Sequence, residues 1–113
     1  RADAEARLPE PPPGLRRPGP DRLPPSAAVP PAGVDLRVDA AAVLDRVAAA
    51  LRAHATQVQD VATWGTADAV AAGAAVGHLA LSDGVLQPIL RAEAYRVAVG
   101  RAEDVRWPVG VDR

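Results

Sequence analysis

The residues able to do chemistry are few. There is no Cys, and the two histidines are His54 and His78. Without a thiol, neither a disulfide framework nor thiolate catalysis is open to this chain. The serines are Ser26 and Ser82, no G-x-S-x-G elbow occurs, and no Gly-rich phosphate loop of the P-loop or dinucleotide type is present. A serine triad is therefore not expected. His54 and Gln57 stand three apart, with Asp60 one further turn on, at the end of a helical pattern. A histidine, an amide and a carboxylate on one face can bind a polar ligand. The simpler reading is a surface His favoured by the negative end of a helix dipole. His78 lies in an Ala/Gly stretch and reads as a core or loop histidine. A zinc shared by His54 and His78 needs a third ligand that the pattern does not supply. Trp64 and Trp107 are candidates to anchor a loop or a partner, or to close a core edge.

The elements that position these residues follow from patterning. Ten of the twelve prolines fall between Pro9 and Pro31, including Pro11-Pro12-Pro13, Pro24-Pro25 and Pro30-Pro31. Proline lacks the backbone donor and favours extended backbone, so residues 1–31 are expected to be a proline-rich linker or extended arm without regular helix or sheet. Residues 32–113 form the structured segment. Val34, Leu36 and Val38 alternate with Asp35, Arg37 and Asp39, a strand pattern. Asp39 suits a helix N-cap. Ala40 to Gln59 holds no Gly or Pro and places Leu44, Val47, Ala48, Leu51, Ala55 and Val58 on one stripe, which predicts a long helix. A weaker helix is expected over Ala67–Gly77, capped by Thr66. A short one is expected over Asp83–Ala92, capped by Ser82 and disturbed by Pro88. Tyr95, Val97 and Val99 predict a second strand, and Arg101–Arg113 a charged tail.

Composition bounds the rest. The chain has 113 residues, enough for one domain at most. Thirteen basic residues, all Arg, against fourteen acidic ones leave a charge of −1, so a nucleic-acid partner is not expected. The longest uncharged apolar stretch, Ala69–Leu81, contains His78 and is far short of the ~20 residues of a membrane span. No signal peptide is visible, and a cytoplasmic location is the expectation. Two strands, two or three helices and three aromatic residues make a thin core. Since the chain begins at Arg1 and contains no Met, it is expected to be a piece of a larger α/β unit.

Three blocks carry a resemblance. Ala49-Ala50-Leu51-Arg52-Ala53-His54-Ala55-Thr56-Gln57-Val58 is similar to the helix-end signature of the LmbE-like (PIG-L-type) zinc deacetylases. Ala80-Leu81-Ser82-Asp83 with Leu86-Gln87-Pro88-Ile89-Leu90 resembles the next family segment, and Glu93-Ala94-Tyr95 through Gly100 the strand after it. Arg106-Trp107 echoes a Gly-Trp in the family's tail. Within the family the likeness is greatest to the mycothiol-pathway branch that deacetylates N-acetylglucosaminyl-inositol. The resemblance covers roughly residues 33–107. The stretch between Gln57 and Ala80 is longer than the family pattern, and the proline arm has no counterpart in it.

The resemblance implies the C-terminal portion of a Rossmann-like α/β fold packing against the rest of the enzyme. It implies zinc-dependent hydrolysis of the acetamide of a small N-acetyl amino sugar. The family's zinc is held by a His-Pro-Asp-Asp motif and a later His, an Asp of that motif serving as general base. Neither His54 nor His78 is followed by Pro-Asp, so this chain alone is expected to bind no zinc and to be inactive. Gln57, and with it His54, match the helix-end motif near the family's substrate pocket. Two other readings stand beside this one: a non-catalytic helical interaction module with a proline-rich arm, and a related deacetylase of another N-acetyl sugar.

Overall fold

The computed structural model describes residues 2–19, 33–65, 71, 73–101, 103 and 111–112. It is a mixed α/β arrangement with more strand than helix. The elements are α1 (Ala2–Ala6), β1 (Leu36–Asp39), a 3-10 turn (Ala41–Val43), α2 (Leu44–Ala53), β2 (Val58–Thr63), β3 (Ala75–Leu81), β4 (Leu86–Leu90), β5 (Ala92–Tyr95) and β6 (Val111–Asp112). They form two three-stranded sheets, β5-β1-β6 and β2-β3-β4, in which every paired strand runs antiparallel.

β1 follows the predicted alternation. Leu36 is buried and Val38 half-buried, while Arg37 and Asp39 face outward. Asp39 is not the N-cap it suits in sequence: the 3-10 turn starts after Ala40 and α2 after Val43, neither with a side-chain cap. The Asp39 Oδ1 instead accepts the Ala41 N–H at 2.9 Å, two residues on, in a turn before them. The helical stripe holds for Leu44 and Ala48, which are buried, and for Val47 and Leu51, which are half-buried.

The long helix to Gln59 is corrected, because α2 stops at Ala53. His54 to Gln57 turn the chain, with the Gln57 and Val58 N–H groups both donating to the His54 carbonyl at 2.9 and 2.8 Å. Val58, Val61 and Thr63, all β-branched, continue as a strand paired to β3, and that pairing outweighs the helical propensity of the Ala-rich run. The weaker helix is corrected in its last residues: Ala75 to Gly77 belong to β3. Thr66 and 67–70 lie outside the described residues.

The short helix over 83–92 is also corrected. Gly84, at φ +74°, closes a turn by donating to the Leu81 carbonyl at 2.9 Å, and Asp83 accepts the Val85 N–H at 3.0 Å. Asp83 thus caps a turn instead of a helix, and Leu86–Leu90 return as β4. Pro88 sits in β4 opposite His78, on an edge strand, where a missing donor is tolerated.

The second expected strand is shifted toward the N-terminus, to Ala92–Tyr95 against β1. Val99 beyond it is 91 % exposed. In the expected tail, Val111 and Asp112 pair with β1, while Arg106 and Trp107 lie outside the described residues.

The expected arm is corrected at its start, because residues 2–6, which contain no proline, form α1, while residues 9–19 hold neither helix nor strand. The following chain docks on the sheet. Leu8 is 2 % exposed, and Arg16 bridges Val85 through N–H to the Gly84 carbonyl and C=O to the Leu86 N–H, both 2.9 Å. Ser26, Pro24-Pro25 and Pro30-Pro31 lie outside the described residues.

Sheet β2-β3-β4 is covered on both faces. Consecutive strand residues point to opposite sides. Leu79 joins Leu44, Leu51, Val76 and Ile89 under α2, whereas Ala80 joins Leu8, Leu15, Trp64 and Leu86 under the N-terminal segment. Gly77 sits where β2 comes closest, and a Cβ there would lie 2.5 Å from the Ala62 carbonyl oxygen and 3.2 Å from Thr63 Cα. Gly77→Ala is therefore expected to cost about 1–3 kcal/mol by overpacking. Chemical denaturation checks it, and an unchanged midpoint would show that the strands separate freely.

Arg91 joins the two sheets. Its N–H donates to the Ala74 carbonyl at 2.9 Å, its carbonyl accepts the Ala40 N–H at 2.8 Å, and its guanidinium pairs with Asp39 at 2.9 Å. The Arg91 hydrogen bond, then the Ala41 N–H, hold the Asp39 carboxyl below its usual value. A carboxylate depressed in the folded state stabilises above its unfolded pKa of about 3.9, and that stabilisation is lost as pH falls through the lower folded value. Asp39→Asn is thus expected to be slightly less stable than the parent at pH 7, and to match it once the pH is low enough to protonate Asp39. A gap in denaturation midpoint that stays constant with pH would contradict this.

Candidate functional site

The structure places the residues picked from the sequence in two different settings. His54 and Gln57 belong to the turn after α2, and both are exposed. They share a turn but not a helix face. Gln57 offers its amide to solvent, where it can donate and accept at once. Arg52, at the end of α2, donates to the Val61 carbonyl at 3.0 Å and ties the helix end to β2.

Asp60 is not with them. The β2–β3 register shifts between Gln59 and Ala62, and Asp60 stands in that irregularity at φ +52°. Asp is among the few residues that enter this left-handed region readily. The carboxylate reaches across β3, with Oδ2 3.3 Å from His78 Nε2. On the other side of the ring, Trp64 Nε1–H donates to His78 Nδ1 at 3.0 Å, with ring centroids 5.8 Å apart. His78 is 8 % exposed. An indole N–H can only donate, so Nδ1 carries the lone pair and Nε2 the proton, with Asp60 Oδ2 3.3 Å from Nε2. The imidazole thus stands between Trp64, bonded to Nδ1, and Asp60, paired with Nε2.

Of the two settings the sequence left open for His78, core or loop, the structure shows the first, buried in β3, and the sequence did not reveal its partners. Asp60 inside a strand was the available signal. Asp is depleted in strands, so its presence between Val58 and Val61 marks an irregularity.

A groove of about 550 Å³ opens between α2, the β3–β4 pair and β5. Leu51, Leu79 and Ile89 contribute apolar surface, and Arg37, Glu93 and Tyr95 contribute polar groups. The Tyr95 hydroxyl donates to Glu93, and this bond holds the phenol above its usual pKa. Neither His54 nor Gln57 lines the groove. Sequence patterning missed it, because it depends on β5 folding back beside α2.

The described residues do not fit zinc. Among them no group of three or more His, Asp or Glu is placed to hold an ion. His54 stands on an exposed turn, and both nitrogens of His78 are occupied by Asp60 and Trp64. No helix among the described residues is long and apolar enough to cross a membrane.

Against known proteins, no family model matches this chain, and neither the curated proteins nor the solved structures contain a match.

Proposed function

We propose that this chain is the C-terminal part of a zinc-dependent N-deacetylase of the LmbE-like type, acting on the acetamide of N-acetylglucosaminyl-inositol. In this reading the Rossmann-like core and the zinc site lie in the rest of the enzyme, and residues 33–107 pack against it. The observation that carries the reading is the order of the three family-like blocks together with their direct pairing. The turn His54–Gln57 leads into Val58, which pairs with Leu81 of the second block. That block forms the β3–β4 hairpin through Ala80 opposite Leu86. The third block supplies Glu93 and Tyr95 in β5, reached from β4 through Arg91 alone.

The zinc of such an enzyme supplies a polarised acetamide carbonyl and an activated water. The residues of this chain bind and orient. The Gln57 amide is exposed on a turn whose backbone is held by the Gln57 and Val58 N–H groups on the His54 carbonyl, and it can bridge two hydroxyls of a sugar or inositol ring. His54 is a second polar group on the same turn. A related deacetylase of another N-acetyl sugar would use the same turn, and substrate profiling separates the two. The interaction-module reading is less well supported, because the N-terminal arm packs Leu8 and Arg16 on its own sheet instead of presenting them.

The test is acetate release by the complete gene product from N-acetylglucosaminyl-inositol, lost on chelation and restored by zinc. Absence of release from every N-acetyl amino sugar would overturn the proposal. In the active enzyme Gln57→Ala is expected to raise KM roughly fivefold with little change in kcat, the effect of one lost hydrogen bond of about 1 kcal/mol. An unchanged KM would remove Gln57 from the binding site.

A further inference from the structure

We infer that Trp64, His78 and Asp60 form a protonation-gated latch that holds the N-terminal segment on the sheet. The inference does not depend on the deacetylase reading. Trp64 has two tasks at this position. Its indole N–H is bonded to His78 Nδ1 at 3.0 Å, and its ring packs against the cluster of Leu8, Ala80 and Leu86, beside Leu15. The histidine therefore fixes the wall against which Leu8 is buried.

The bonding pattern admits a single neutral tautomer, with the proton on Nε2 toward Asp60. A second proton has only Nδ1 to occupy. There it meets the indole N–H, and two donors cannot share a hydrogen bond. Asp60, 3.3 Å from Nε2, attracts the imidazolium and keeps it in place, so it is the indole that must move away. Protonation thus turns a neutral imidazole beside the Asp60 carboxylate into an ion pair with it, and Trp64 loses its partner.

Opposite His78, β4 places Pro88, whose side chain has no titratable group. α2 packs on the opposite face, against Leu79. The N-terminal segment carries Glu5, Arg7, Glu10, Arg16 and Arg17, and of these Arg17 donates to the Leu8 carbonyl while the Arg16 backbone pairs at Gly84 and Leu86. Among the described residues Asp60 is the charged group paired with the ring. Release of the indole opens the cluster at Leu8, and the segment that Leu8 anchors loosens with it.

The test follows Trp64 in the full chain carrying Trp107→Phe, so that one indole reports. On acidification of the folded protein, its emission is expected to shift to the red in a single-proton transition. Over the same transition the backbone amides of Leu8 and Leu86 lose exchange protection after correction for the intrinsic pH effect. Adding His78→Gln removes the transition. Nitrogen-15 spectra of the imidazole at about pH 8 provide a check that needs no variant at His78: Nε2 protonated and Nδ1 bare support the latch. A protonated Nδ1 at that pH, an emission maximum that does not move, or the same transition in the His78→Gln protein overturns it.

Discussion

Strand β3 is paired along both edges and covered on both faces, and the rest of the structure depends on its register. A slip of one residue would turn Leu79 toward the N-terminal segment and His78 into the apolar cluster under α2. The close approach of Gly77 to the Ala62 carbonyl fixes the same register from the β2 side, because a larger residue does not fit there. The turn at Gly84 fixes it from the β4 side. The irregularity at Asp60 is absorbed in β2, and it is that irregularity which aims the carboxylate at His78.

Arg91 transmits this order to the second sheet. Its backbone bonds Ala74 just ahead of β3 and Ala40 just after β1, and its side chain holds Asp39. One residue thus sets where β5 leaves β4, and with it the shape of the groove beside α2. The exposed ion pair contributes little energy by itself. Its value is geometric, since the same carboxylate also receives the first N–H of the turn that starts α2.

The parts of the fold legible in the sequence are those governed by local pattern. β1 shows its alternation, and Leu44, Val47, Ala48 and Leu51 show their helical stripe. What was not legible was set by pairing between distant segments. An Ala-rich run reads as helix through Gln59, yet β-branched residues after His54 find a partner in β3. Ser82-Asp83 looks like a helix cap and is a hairpin turn, and Pro88 read as a kinked helix where it marks an edge strand. In the candidate site, the closeness of His54 and Gln57 was legible from spacing. The union of Asp60, His78 and Trp64 was not, because it arises from a strand irregularity and the β2–β3 pairing.

Gln57 stands exposed on the turn after α2, and His78 lies between Trp64 and Asp60. The central claim is that this chain belongs to a zinc deacetylase whose metal site is encoded elsewhere in the same gene. The coding sequence directly upstream of the Arg1 codon tests that claim most directly. The account predicts an in-frame His-Pro-Asp-Asp motif and a later His-Pro-Asp-His there. A start codon with neither motif would contradict it.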